Sequence, residues 1–292
     1  MTAVGAYPSP VPELPEVEIT VRRLDRALAG AQIASARAPG INTLKTFSPP
    51  LHALVGLEID AVRRRGKQII VTAGGELALL MHLMSAGRLQ LFDRPAAPRD
   101  RTSRLLVATA DGRELRLREF GTKQAAWAKL LALDALAGEE SLTRLGPEAW
   151  PDPPADLGAR LAQPRPLHAA LRDQHVIAGI GRSWVDEILW AARLSPFKRG
   201  GDLDAQELAT LSTAIATTLG DALEHYERTI ELPIPDKLPM PLAVHRHEGE
   251  PCPRCATPLA AVNYEDYVMT YCPSCQTDGR VLKDRRLSRL LK

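Results

Sequence analysis

The sequence predicts an α+β protein of several domains: a strand-rich N-terminal part led by one long helix, a helical middle, and a small four-cysteine hairpin at the C-terminal end. Three observations carry this. Apolar residues step at helical spacing from Leu14 to Leu28, then fall into short strand-length bursts to about residue 130. A helical period returns between about 157 and 229. All four cysteines lie near the C-terminal end, as two Cys-x-x-Cys pairs.

At 292 residues and 45% apolar content, the chain is long enough for two domains with cores of their own. The net charge of +2 says little about partners, but its distribution says more. Arg63, Arg64, Arg65 and Lys67 form one basic cluster, and RVLKDRRLSRLLK (280–292) forms another. Each by itself reads first as a solvated face. No apolar run has the length of a membrane span, and the start MTAVGAYPSP lacks the basic and apolar regions of a signal peptide. The expectation is a soluble cytoplasmic protein with no membrane partner.

The first element is read from VPELPEVE (11–18). Pro15 suits a helical first turn, where a missing N–H costs nothing, and Glu16 and Glu18 suit the positive end of the helix dipole. Leu14, Val17, Val21, Leu24 and Leu28 then form one apolar stripe ending near Gly30. Strands are expected at IASARA, LVGLEIDAVRR, KQIIVTA, LALLMHL, GRLQLF, RLLVATA and ELRLREF, the later ones separated by turns such as AGGE and ADGRE. They suggest an antiparallel sandwich or barrel, followed by a short helical piece. The prolines of LGPEAWPDPPADLG (145–158) mark a linker. Helices are expected in ADLGARLAQ, PLHAALRDQ, SWVDEILWAARL and DAQELATLSTAIATTLGDALEHYERT. Gly179 and Gly181 break the pattern, and such a turn reads first as a tight helix–helix corner, although it can also offer N–H groups to a phosphate.

CPRC (252–255) and CPSC (272–275) are separated by sixteen residues that read as a hairpin. Without an export signal, disulfides are not expected. The doubled motif instead reads as a tetrahedral zinc site of Cys252, Cys255, Cys272 and Cys275. A redox dithiol is the competing reading, but no βαβ pattern surrounds either pair. Four protein thiolates leave no open position for a substrate, so one structural zinc is expected.

Taken together, PELPEVE, a β-sandwich, a Gly-Ile-Gly turn between helices and a terminal four-cysteine finger resemble the formamidopyrimidine-DNA glycosylase and endonuclease VIII family, in its formamidopyrimidine branch. The resemblance runs from Pro12 to about Gln276. It implies an N-terminal sandwich over 12–144, a linker over 145–158, a helix–two-turn–helix domain over 159–245, a zinc finger over 246–277 and a basic tail over 278–292. It implies a monomer that binds damaged DNA, excises oxidised bases and then cuts the strand at the abasic site.

In the family the proline is the N-terminal residue and its secondary amine attacks the sugar. Within a chain the same nitrogen is an amide whose lone pair is delocalised. The resemblance therefore implies that residues 1–11 are an extension, with Val11 at the position of the initiator Met and Pro12 as the working terminus. By the same resemblance Glu13 is the catalytic acid–base, Glu16 helps position the terminus, and Lys67 contacts the lesion phosphate. Arg118 and Phe120, in REFG, fill the void left by a flipped nucleotide. Four positions depart from the family pattern. Ser85 stands where an intercalating Met is expected, with Met84 beside it. Glu119 replaces an Arg near DNA. Arg182 replaces a phosphate-binding Asn, and Tyr267 stands where a phosphate-gripping finger Arg is expected. Two other readings remain: a non-catalytic damage- or structure-specific DNA-binding paralogue with a blocked terminus, and a zinc ribbon for protein or RNA contacts.

Overall fold

A computed structural model describes residues 11–97, 100–120, 124–264 and 267–282. Most of the expected N-terminal extension and the last ten residues of the basic tail lie outside the described residues. The chain divides into two compact units. One comprises the segment to Thr143 together with Tyr226–Pro239, and the other Arg144–His225 together with the segment from Met240.

The first unit opens with α1 (Leu14–Leu28), whose five stripe residues are all buried. Eight strands follow: β1 (Ile33–Arg37), β2 (Ile59–Arg65), β3 (Gln68–Ala73), β4 (Leu77–His82), β5 (Gly87–Phe92), β6 (Ser103–Thr109), β7 (Glu114–Glu119) and β8 (Trp127–Ala132). They form two antiparallel four-stranded sheets, ordered β1-β6-β7-β5 and β2-β3-β4-β8. One core joins Val17, Val21, Leu24 and Leu28 of α1 to Leu105, Leu115 and Leu117 of the first sheet and to Val62, Val71, Leu79 and Met81 of the second. This is the expected sandwich. β4 shows no polar alternation because both its faces are covered: Ala78 and Leu80 pack with Ile70, Leu133, Leu136 and Leu142 on the outer side. Leu142 belongs to the short helix α2 (Glu140–Thr143).

One strand boundary and one whole strand differ from expectation. LVGLEIDAVRR becomes strand only from Ile59, since Leu51–Leu54 form a 3-10 turn and Gly56 has φ of +89°, outside the strand region. β8, absent from the expected strands, is added by backbone pairing to β4, from Leu77 with Ala132 to His82 with Trp127.

The second unit contains α3 (Leu157–Leu161), α4 (Leu167–Leu171), α5 (Arg182–Ala191) and most of α6 (Ala205–Thr229), whose last turn from Tyr226 belongs to the first unit. The corner before α5 needs Gly179, whose φ is +108°. Gln174 braces that corner, accepting from the Gly179 N–H at 2.9 Å and donating to the Ile180 carbonyl at 2.8 Å. β9 (Ala260–Asn263) and β10 (Val268–Tyr271) make the expected hairpin, and α7 (Pro273–Thr277) follows it. Among the described residues, no helix is long and apolar enough to cross a membrane.

Candidate active site

PELPEVE folds into the buried head of α1. Pro12, Glu13 and Glu16 are all buried, and Glu13 is the N-cap. The Glu13 N–H donates to Glu16 Oε2 at 2.9 Å, one arm of a capping box. The Tyr226 hydroxyl donates to Glu16 Oε1 at 2.7 Å. Burial raises the Tyr226 pKa, and the nearby carboxylates of Glu16 and Glu13 raise it further, so the phenol stays neutral and remains a donor. Arg88, buried in β5, feels the charges of Asp236 and Glu16 while donating from Nε to the Asp236 carbonyl at 2.7 Å. Two buried carboxylates, a phenol and a guanidinium thus gather where Pro12 enters α1.

Lys67 occupies the turn between β2 and β3. The His82 pKa is lowered to about 4, by burial first and by the charge of Lys67 second. His82 Nδ1 accepts the Met84 N–H at 2.9 Å, as a neutral ring with its proton on Nε2 would. In the turn between β4 and β5, Met84 and Ser85 are both exposed, and Met84 has a left-handed φ of +51°. At the end of β7, Arg118 donates to Thr102 Oγ1 at 3.0 Å, Gln90 Oε1 at 2.9 Å and Asp236 Oδ1 at 3.1 Å. Its guanidinium stacks 4.7 Å from the centre of the half-buried Phe120 ring.

In the second unit, all four cysteine sulfurs lie within 4.8 Å of one another. Three of the Sγ pairs are 3.4, 3.5 and 4.0 Å apart. A tetrahedral zinc with Zn–S bonds of ~2.3 Å sets S···S near ~3.8 Å, so the cluster fits that ion. Trp190 of α5 donates its indole N–H to Cys252 Sγ at 3.3 Å. Next to it on α5, Asp186 and Glu187 bind the approaching chain: Glu187 accepts three backbone N–H groups at 2.8–2.9 Å, and Asp186 accepts from His245 at 2.6 Å and the Thr270 N–H at 2.9 Å.

Two family models match the chain: the formamidopyrimidine-DNA glycosylase N-terminal domain over residues 11–122, and the formamidopyrimidine-DNA glycosylase H2TH domain over 146–233. The formamidopyrimidine-DNA glycosylase of Herpetosiphon aurantiacus is 33% identical over 283 residues, spanning 91% of this chain and 100% of that protein. The chain belongs to the formamidopyrimidine-DNA glycosylase family. The relative from Geobacter sulfurreducens is 32% identical over 280 residues, with coverage of 91% and 100%. Among solved structures, the Lactococcus lactis enzyme in complex with DNA containing N7-benzyl-Fapy-dG superposes with a TM-score of 0.82 at 27% identity, covering 91% of this chain and 100% of that one.

Set beside the family pattern, Glu119 is not a charge facing outward. Leu115, Leu117 and Glu119 share one face of β7 by the strand's period of two, and that face is the core face. Glu119 is buried there and accepts the backbone N–H groups of Ala125 and Ala126 at 2.6 and 2.9 Å. It ties the chain at Ala125 and Ala126 back to the end of β7. Arg182 opens α5 as expected of a residue after the glycine turn, and its guanidinium lies 5.2 Å from the Tyr267 ring centre. Sequence reasoning missed Tyr226, Gln90, Asp236 and Trp190. Each is distant in sequence from the residue it holds, and none sits in a motif.

Proposed function

We propose that the chain is a bifunctional DNA glycosylase and abasic-site lyase, excising oxidised bases of the formamidopyrimidine or 8-oxoguanine type and cutting the strand by β,δ-elimination. The observation that carries this reading is the buried carboxylate pair at the head of α1, directly after Pro12, in the span matched by the family's N-terminal domain. The relatives' names and the DNA complexes of the Lactococcus lactis enzyme support the same substrate class.

In this reading the secondary amine of Pro12 attacks C1′ of the damaged nucleotide. The C1′–N bond breaks, the base leaves with the bonding pair, and a proton is delivered to it. Glu13 protonates the sugar ring oxygen, the ring opens, and the amine becomes an iminium. The iminium acidifies the C2′ proton, so the flanking phosphates leave in turn. Glu16 is a positioning residue: both its oxygens already accept hydrogen bonds, one from Glu13 and one from Tyr226. Lys67 binds the lesion phosphate. Arg118, Phe120 and the exposed Ser85 fill the emptied stack and meet the orphaned base. Cys252, Cys255, Cys272 and Cys275 hold one structural zinc, which keeps the finger folded.

The chemistry needs a free amine at Pro12, because a chain amide cannot form an iminium. Borohydride trapping on abasic DNA tests this directly. A form beginning at Pro12 should be covalently trapped, and the form retaining residues 1–11 should not. No trapping by either, with damaged DNA still bound, would instead make the chain a DNA-binding paralogue without catalysis.

A further inference from the structure

The C-terminal end of α5 meets the first cysteine pair. The Trp190 indole N–H donates to Cys252 Sγ at 3.3 Å. Arg254, between Cys252 and Cys255, folds back over the same indole, its central carbon 4.3 Å from the ring centre. Arg254 Nη1 also donates to the Trp190 carbonyl at 3.0 Å, where the helix ends and its dipole favours a cation. Trp190 is half-buried and packs with Val244, Cys252, Leu259 and Cys272. All of these residues belong to the second unit.

Four thiolates outweigh the charge of a divalent ion, so the loaded site is an anion, and donors aimed at its sulfurs stabilise it. Several such donors come from the finger itself. Thr257 serves Cys255, the Cys275 N–H reaches Cys272 at 3.4 Å, and the N–H groups of Arg254 and Cys255 serve Cys252. Trp190 is a side chain of another element, sixty-two positions from the sulfur it holds. A hydrogen bond to a thiolate is charge-assisted, and partial burial limits the water that competes for the same sulfur. The cation over the ring face draws electron density from the indole, which makes its N–H a stronger donor. A phenylalanine in this place would fill similar space and donate nothing.

We propose that Trp190 is a positioning residue for the zinc: its N–H, strengthened by Arg254, holds the Cys252 thiolate in the ligand set and ties metal retention to α5. This rests on the reading of the four cysteines as a zinc site.

The test is metal retention in the full chain, by competition with a chromogenic chelator. Trp190→Phe keeps a ring and removes the donor, and it should bind zinc about tenfold more weakly. Arg254→Ala should cost less affinity in the Trp190→Phe background than in the parent, because part of its effect passes through the indole. Cobalt(II) in place of zinc supplies a readout that packing alone would not move. Losing a hydrogen bond makes the sulfur more electron-releasing, so the thiolate-to-cobalt charge-transfer band should shift to longer wavelength in Trp190→Phe. If that variant misfolds, the indole proton of the parent decides: its exchange with solvent should be slow with zinc bound and fast after chelation. Parental zinc affinity with an unmoved cobalt band in folded Trp190→Phe would overturn the role of Trp190 and leave the zinc site standing. Fast indole exchange in the zinc-loaded parent would do the same. A parent that takes up neither zinc nor cobalt would overturn the zinc reading itself.

Discussion

Glu13 and Glu16 are both buried at the head of α1, yet their surroundings separate their roles. Glu16 holds the Glu13 N–H with one oxygen and the Tyr226 hydroxyl with the other, while the Glu13 side chain accepts the Glu16 N–H in the other arm of the capping box. In the proposed reaction it is Glu13 that transfers the proton. Glu13→Gln, in a chain beginning at Pro12, should therefore bind damaged DNA as the parent does. It should lose base excision by roughly two to four orders of magnitude, the range for a positioned acid–base group. Single-turnover excision assays beside binding curves check both halves, and equal losses in the two would place Glu13 in binding. His82 supplies a second residue-scale expectation. Its folded pKa is about 4, against 6.5 ordinarily. The unfolded chain therefore takes up a proton near pH 6.5 that the folded chain accepts only near pH 4. Stability should fall by up to about 3 kcal/mol as pH drops through that window and level off below it. His82→Gln should flatten that part of the profile in urea titrations. Lys67→Gln should raise the His82 pKa, because the lysine charge contributes to its depression, and the histidine NMR titration reads this.

At the scale of elements, Glu119 holds the start of the β8 segment through the backbone N–H groups of Ala125 and Ala126. Glu119→Ala leaves both donors unsatisfied and should cost about 1–3 kcal/mol, measured by denaturant unfolding. Glu119→Gln keeps an acceptor oxygen and should cost less. The alternation Leu115, Leu117, Glu119 encodes the side chain's inward direction, whereas comparison with the family pattern at this position reports only the change of charge. Other elements divide in the same way. α1 was legible because a buried stripe on one helix face leaves its full period in the sequence. β8 was not: Ala128, Lys129, Leu130 and Leu131 are good helix formers, and only pairing with β4 makes them a strand. The start of β2 was misplaced because Leu54 and Leu57 are apolar for packing against the core, not for strand pairing. In the sites, the four cysteines were legible because ligand spacing is local. The hydrogen bonds to Glu16 from Tyr226 and to Asp236 from Arg118 join residues 210 and 118 positions apart, and nothing local encodes them.

For the whole molecule, the separate cores of the two units determine what loss of metal should do. The first unit's core of α1 and both sheets contains no residue of the cysteine cluster. In the second unit, Cys252 and Cys272 are themselves core residues, packed with Val244, Leu259 and Trp190. With zinc bound as proposed, taking out the ion would remove the cross-link among four sulfurs and turn that small core into a set of mutually repelling or protonated thiols. What then remains to hold the hairpin of two four-residue strands is the small cluster of Val262, Met269 and Tyr271 and the Thr270 N–H bond to Asp186, which is little for a two-stranded ribbon. Chelation, or Cys272→Ser, should therefore unfold the finger and weaken DNA binding while the sandwich stays intact. Amide exchange is the measurement that separates these: protection should vanish in β9 and β10 and persist in β3, β4 and β7. Zinc should restore the finger after chelation but not in the Cys272→Ser chain. Retained protection in β9 and β10 after metal is stripped would mean that packing alone holds the hairpin, and the cysteines would lose their structural role.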